Sequence, residues 1–146
     1  MLILRSLRTL LIPFVLLLTN VSYSEINSIH ITSRLDPNAI LITQVDIIFV
    51  YSQQIIDKFP STKTEWYSNQ REFIANADND IDIKSVFIPQ GFNSETTSLP
   101  ERLGEALKVY IFAEHDVSSA APIDVTNFSD VLVTIDEFGI IVTQQK

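Results

Sequence analysis

Cysteine is absent from the 146-residue chain, which excludes disulfide bonds, thiolate zinc sites and thiol nucleophiles. Glycine occurs only as Gly91, Gly104 and Gly139, and this spacing excludes a glycine-rich phosphate-binding loop. Histidine occurs only as His30 and His115, and the chain contains no G-x-S-x-G nucleophile motif. Few classes of catalytic site therefore remain open to this sequence.

Basic residues are also scarce, because ten Lys or Arg residues against eighteen Asp or Glu residues give a net charge of −8. Arg5 and Arg8 lie in the N-terminal segment, so loss of that segment would lower the net charge to −10. A surface of this charge is repelled by nucleic acids and by anionic lipids. The composition predicts no nucleic-acid partner and no membrane binding once the N-terminal segment is removed.

The N-terminal segment has the pattern of a cleavable signal peptide. Two arginines precede the uninterrupted apolar run 10–18, and small or polar residues follow as far as Ser24. Nine helical residues span about 14 Å at roughly 1.5 Å per residue, whereas a bilayer core requires about 20 apolar residues. We predict cleavage after Ser24 and a mature protein that is secreted or periplasmic.

The rest of the chain alternates between strand and helix patterns. We predict a signal peptide over residues 1–24, an extended lead-in over 25–43 and a small domain over 44–146. Within the domain, capping boxes begin two predicted helices, and β-branched runs mark the strands. The predicted strands are 45–51, 81–88 and 130–135, the predicted helices are 63–77 and 99–114, and a hairpin ends the chain at 136–143. This order predicts an α/β fold, with a mostly parallel sheet of three to four strands and two main helices.

The strand Val45-Asp46-Ile47-Ile48-Phe49-Val50-Tyr51-Ser52 resembles the opening strand of reprolysin-like zinc metallopeptidases of the metzincin group. A helix with Asn76 near its end, the passage Asp80-Ile81-Asp82-Ile83 and the later strand Asp130-Val131-Leu132-Val133 follow in the family's order. The resemblance covers residues 44–136 and implies the N-terminal half of such a domain. Zinc would be the cofactor that it implies.

The catalytic motif of that family is missing from this chain. Metzincins bind zinc with H-E-x-x-H-x-x-G-x-x-H, in which two histidines face the metal and the glutamate activates water. His30 and His115 are 85 residues apart, and neither lies in such a motif. No catalytic residue of the family can therefore be placed at any position here, and we predict no bound cofactor; zinc would be bound only under the metallopeptidase alternative.

Three carboxylates form a candidate cation site. Asp78, Asp80 and Asp82 have the 1-3-5 spacing of a calcium loop, but the glycine and glutamate that an EF-hand needs are replaced by Ile83 and Pro89. The competing interpretation is a solvated turn between a helix and a strand.

The other polar candidates have a structural interpretation as well. In Glu114-His115-Asp116, His115 could be a general base or a metal ligand, or it could end a helix and interact with the helix dipole. The aromatic residues Trp66, Tyr67 and Phe73 could form a ligand platform, but an amphipathic helix usually buries such residues in the core. A pair of carboxylates for hydrolysis cannot be recognised from spacing.

The sequence favours a non-catalytic exported protein, either binding a protein partner or retained as a remnant. An exposed sheet edge that pairs with another chain is one way in which such a half-domain would bind. The alternatives are a zinc metallopeptidase-type enzyme whose catalytic half is missing or supplied elsewhere, and a cation-binding module centred on Asp78, Asp80 and Asp82.

Overall fold

Residues 21–146, the part of the chain that the computed structural model describes, form a largely β structure. The helices are α1 (Gln53–Asp57) and α2 (Lys63–Ala77), with 3-10 turns at Asp78–Asp80 and Leu103–Glu105. None of the helices in this range is long and apolar enough to cross a bilayer. The strands are β1 (Ser28–Ser33), β2 (Thr43–Val50), β3 (Ile81–Ile88), β4 (Ser94–Thr96), β5 (Lys108–Ala113), β6 (Ile123–Asp124), β7 (Asp130–Ile135) and β8 (Ile140–Gln144).

The strands form two sheets of four that pack face to face. One sheet has the order β4-β1-β7-β8 and the other β3-β2-β5-β6. Only β1 and β7 pair in parallel among the described strands, and every other pairing is antiparallel. Apolar side chains from the inner faces of both sheets fill one core, which includes Ile29, Ile31, Val45, Ile47, Phe49, Val109, Ile111, Val131 and Val133.

Strand β2 is buried on both faces, which explains why its sequence is almost continuously apolar. Successive side chains of a strand point to opposite faces. Val45, Ile47 and Phe49 therefore enter the core between the sheets. Ile48 and Val50 enter a second apolar cluster with Trp66 of α2, on the outer face of the same sheet. Both faces of this strand are thus covered, one by the second sheet and the other by α2 and not by helices on either side.

Helix α2 is confirmed over Lys63–Ala77, with the capping residue that the sequence predicts. The side chain of Thr62 accepts a hydrogen bond from the amide of Glu65, at 3.2 Å. The carboxylate of Glu65 accepts a bond from the amide of Ser61, at 2.8 Å. The first bond satisfies an amide that the first turn of a helix leaves without a partner, and the second ties the residue before the cap to that turn.

The predicted helix over 99–114 is wrong. Residues 108–113 form the strand β5, which pairs with β2 along its whole length. The side chains of Val109 and Ile111 enter the inter-sheet core, while Phe112 packs against Trp66 on the other face. This two-sided burial repeats the pattern of β2, and it overrides the capping signal at Ser98–Glu101, which is followed only by a short 3-10 turn at Leu103–Glu105.

The predicted α/β fold with a mostly parallel sheet is also wrong, because α2 does not act as a simple crossover. After β2, the segment 51–62 returns along the sheet before α2 begins. The amide of Lys63 donates to the carbonyl of Ala120, and its ammonium group donates to the carbonyl of Glu114 beside the start of β2. Helix α2 therefore runs in the direction of β2, and β3 comes back antiparallel to it.

The region predicted as an extended lead-in contributes β1, in which the alternating Ile29 and Ile31 are buried. β1 lies inside the sheet of order β4-β1-β7-β8, between β4 and β7. Residues 1–20 of the predicted signal peptide lie outside the described residues. The cleavage point and the division into segments stay predictions.

The two ends of the sandwich carry different features. One end, here called the apex, holds the segments 34–42 and 114–122 and the β7–β8 turn at 136–139. At the other end, the base, the amide of Ser24 donates to the carbonyl of Ala106, and β8 finishes beside the start of β7. Both ends of the described chain therefore lie at the base.

Candidate functional site

The three carboxylates of the candidate cation site do not converge. Asp78 and Asp80 are exposed in the 3-10 turn after α2. Asp82 binds the guanidinium group of Arg102, with 3.0 Å between Oδ2 and Nε, and accepts a bond from the hydroxyl of Tyr51. Among residues 21–146, no group of three His, Asp or Glu side chains comes together in a way that could hold a metal ion. Calcium binding here stays a hypothesis that titration tests.

The contacts of Asp82 form a clamp at the base end of β3. The guanidinium group of Arg102 lies over the ring of Tyr51, 3.9 Å from its centroid. The hydrogen bond from Arg102 lowers the pKa of Asp82, while burial raises the pKa of Tyr51. The carboxylate of Asp82 thus serves to join the segment before β5 to the sheet.

His115 lies in the apex segment after β5, so it does not end a helix as the structural interpretation assumed. Its Nε2 donates to the carbonyls of Asp136 and Gly139, at 3.1 and 3.0 Å, and its Nδ1 lies 3.2 Å from the hydroxyl of Thr43. A neutral imidazole satisfies all three contacts when Nε2 carries the proton. His115 therefore joins the β7–β8 turn to the start of β2.

Asp116 strengthens the same connection. Its Oδ1 accepts a hydrogen bond from the amide of Ile140, at 3.0 Å, and burial raises the pKa of its carboxyl group. Gly139 leaves room for this carboxylate, since a Cβ on Gly139 would stand 1.9 Å from Oδ1. We call this set of contacts, made by His115 and Asp116, the apex staple.

The apex also carries the most exposed apolar side chains of the described residues. Ile40 is 82% exposed and Phe138 is 77% exposed, and Ile42 lies close by in the chain. Ile40 and Phe138 line a cavity of about 540 Å³ between the segment 34–41 and the β7–β8 turn. Asp36, Asp136, Glu137 and Arg34 line it as well. The side chains 40, 42 and 138 with this acidic rim are called the apex surface.

A buried carboxylate that sequence reasoning missed lies on the outer face of β2. Asp46 is fully buried, and it accepts hydrogen bonds from Trp66 and Gln70 on one oxygen and from Gln44 and Ser85 on the other, all between 2.6 and 2.9 Å. Uncharged donors thus surround the carboxylate and satisfy it. A charged residue inside an apolar strand pattern is the signal that could have revealed it.

The aromatic residues of α2 form core, as the structural interpretation predicts. Trp66 is fully buried, and Phe59 stacks on Tyr110 with 4.3 Å between ring centroids. Phe73 meets Phe59 edge to face at 5.6 Å. Burial and the nearby carboxylate of Asp46 raise the pKa of Tyr67. These rings close the second apolar cluster and leave no open ligand platform.

No family model matches the chain. No curated protein matches it in sequence. In the solved structures, the described fold is similar to the T6SS lipoprotein TssJ1 from Pseudomonas aeruginosa, with a TM-score of 0.51 and 8% identity over 82% of this chain and 95% of that chain. It is also similar to Lip from Serratia marcescens, a membrane bound component of the Type VI Secretion System, with a TM-score of 0.47 and 10% identity over 82% and 96% of the two chains.

The resemblance to metzincin metallopeptidases is therefore wrong. The described residues form a β-sandwich of the kind found in TssJ1, and nothing in the comparisons supports a metallopeptidase half-domain. β2 contains most of the strand that opens the resemblance, and a strand that is buried on both faces has a similar apolar sequence in either fold. Local pattern alone does not identify the layer that covers each face.

Proposed function

We propose that this chain is an exported, non-catalytic protein that binds a protein partner through the apex surface. The observation that carries the proposal is the exposure of Ile40 and Phe138 around one cavity at the end of the sandwich that is far from both ends of the described chain. Exposed apolar clusters with a polar rim are typical of protein interaction sites.

The charges at the rim define the chemistry of the partner. Asp36, Asp136 and Glu137 outnumber Arg34 around the cavity, and the whole chain is acidic. A partner segment that inserts an apolar side chain between Ile40 and Phe138 and carries Lys or Arg beside it matches both features. Opposite charges at the rim accelerate association and disfavour acidic competitors.

The apex staple supports the proposal because it fixes one wall of the cavity before any partner arrives. His115 and Asp116 hold the β7–β8 turn by its backbone, so Phe138 is presented on a constrained hairpin tip. A surface that is already ordered loses less conformational entropy on binding.

The fold neighbour gives the proposal a biological setting. TssJ1 is a lipoprotein of a secretion system. The secreted or periplasmic localisation predicted from the N-terminal segment is in accord with a role of that kind for this chain. We propose that its partner is another component of an envelope assembly, in keeping with the predicted absence of nucleic acid and of bound cofactor.

Site-specific photo-crosslinking in cells of the source organism tests the proposal. A photoreactive phenylalanine analogue at position 138 should give a discrete adduct with one envelope protein. The same analogue at Asn127, which is exposed at the base and remains after signal-peptide cleavage, provides the matched control and should not give that adduct.

The purified partner then decides the question. We expect Ile40→Glu to weaken its binding at least tenfold, because it removes an apolar contact and places a carboxylate where the partner's apolar side chain inserts. Asn127→Glu, which makes the same change of charge at the base, should leave the affinity unchanged. Equal loss in both variants, or no adduct at position 138, would refute an apex interface.

A further inference from the structure

Strand β3 is the longest open edge among the described strands. It has eight residues and pairs with β2 on one side only. The other edge strands of the two sheets, β4, β6 and β8, have three, two and five residues. An open edge of this length is a template for pairing with another strand.

The register identifies which backbone groups of β3 face outward. The carbonyls of Gln44 and Val50 accept bonds from Glu114 and Leu107, on the side of β5. The even-numbered residues of β2 therefore bond to β5, and the odd-numbered ones bond to β3. The residues of β3 that lie opposite them are even-numbered. The amide and carbonyl groups of residues 83, 85 and 87 consequently point away from the sheet.

The side chains at this edge leave an apolar surface uncovered. Phe87 is 59% exposed and Ile74 of α2 is 38% exposed. Between α2 and β3 lies a cavity of about 370 Å³, lined by Ile74, Ile83 and Ser85 among others. The strand that pairs with this edge must supply an apolar side chain for that cavity.

We infer that β3 of a second copy of this chain pairs antiparallel with this edge, which joins the two β3-containing sheets into one continuous sheet. In the register that we infer, Ser85 lies opposite Ser85 of the second copy, and Ile83 of each copy lies opposite Phe87 of the other. The two residues of each of these pairs exchange two backbone hydrogen bonds. This arrangement is self-complementary, as a two-fold axis requires.

The cavity and the charges select this register. Phe87 of the second copy lies beside Ile83, so its ring enters the cavity against Ile74. Lys84 lies opposite Val86, and Asp82 lies opposite Ile88. Pairing centred one position earlier would place Lys84 opposite Lys84, where like charges oppose each other.

The mass of the exported protein in solution tests the inference. In a dilution series at about 0.15 M salt, where the Debye length is about 8 Å, light scattering should give twice the mass of one chain at the upper concentrations. Phe87→Lys should give the single-chain mass throughout, while Phe138→Lys, an equal change at an exposed aromatic residue of the apex, should still dimerise. A single-chain mass for the unmodified protein overturns the inference.

The absence of cysteine allows the register to be tested directly. In the pairing that we infer, the two Ser85 Cα atoms lie about 5.5 Å apart, which is within the range of a disulfide. Ser85→Cys should form a cross-linked dimer under mild oxidation, and Lys84→Cys, which lies opposite Val86, should not. Equal cross-linking of both variants, or of neither, overturns the inferred pairing. The apex surface is not involved, so the proposed partner binding is tested separately.

Discussion

The buried carboxylate of Asp46 offers the sharpest test of how α2 is held on the sheet. Its oxygen Oδ2 accepts bonds from Trp66 and Gln70, both on α2 and both at 2.9 Å. Its oxygen Oδ1 accepts bonds from Gln44 and Ser85, on β2 and β3. Asp46 thus connects the helix to two strands, and its removal leaves the indole NH of Trp66 buried without an acceptor.

The replacements Asp46→Ala and Asp46→Asn should have different costs. Alanine removes every acceptor, and a buried donor left unsatisfied costs about 1–3 kcal/mol. With the indole fully desolvated, we expect Asp46→Ala to lower the free energy of unfolding by about 3 kcal/mol. Asparagine keeps one oxygen for Trp66 and Gln70 and removes the desolvation cost of a charge, so we expect a loss of about 1 kcal/mol.

Urea unfolding followed by tryptophan fluorescence measures these losses, since Trp66 is the only tryptophan and lies in the site. The matched control is Asp57→Ala at an exposed residue of α1, whose carboxylate accepts a bond from Gln53; this change should alter stability by less than about 0.5 kcal/mol. If Asp46→Ala unfolds at the same urea concentration as the control, then the four bonds do not hold α2 and the reasoning is wrong.

Three further predictions concern the clamp and the apex staple. The hydrogen bond from Arg102 lowers the pKa of Asp82 in the folded protein below its ordinary value of 3.8. The ionised carboxylate therefore stabilises the fold above pH 3.8, and this stabilisation is lost as the pH falls through the lower pKa of the folded state. Asp82→Asn should therefore lower Tm at pH 7, by an amount that shrinks below pH 3.8; a constant difference would contradict this. The raised pKa of Asp116 has the opposite effect on stability. Ionisation of this buried carboxyl group lowers the free energy of unfolding as the pH rises through the pKa of the folded state. Asp116→Asn should raise Tm at pH 7 and not in acid, and a lower Tm at pH 7 would contradict that. Gly139→Ala places a Cβ against the carboxylate and should cost about 1–3 kcal/mol in urea unfolding, less when combined with Asp116→Ala; additive losses would show that the two groups do not collide.

Parts of the fold could be predicted because local signals and tertiary burial agree there. α2, β3 and β7 begin and end where the sequence predicts, since a capping residue or an apolar run bounded by turns defines each of them. The hairpin that ends in β8 follows from the Asp136–Gly139 turn. These elements carry their own boundaries in the sequence.

Strand pairing could not be predicted, because the sequence of a strand does not indicate which other strand pairs with it. The pattern of 108–113 is compatible with a helix when it is considered alone, and only its contact with β2 shows that it is a strand. The direction of α2 depends on the segment 51–62 returning along the sheet, which is set by contacts with Glu114 and Ala120 far along the chain. Those long-range contacts decide between an α/β sheet and a sandwich.

The candidate site was predicted only in part, for a related reason. His115 was singled out, but its role is to hold a backbone turn, which depends on Gly139 and Thr43 reaching the same end of the molecule. The exposure of Ile40 and Phe138 cannot be predicted from the sequence. Whether an apolar residue in a loop is buried depends on which neighbouring loops pack over it. Surface sites of this kind become visible only when the fold is known.

Ser85 links the buried carboxylate of Asp46 to the open edge of β3. Its hydroxyl group donates to Asp46 inside the sheet, while its amide and carbonyl point outward along the open edge of β3. The bond to Asp46 thus fixes the position at which a second copy would be centred. A variant that disturbs Asp46 should weaken dimerisation as well as stability, whereas Phe87→Lys should affect dimerisation alone. The two effects can be separated by measuring mass and unfolding on the same samples, and loss of stability in Phe87→Lys would show that the edge is part of the core.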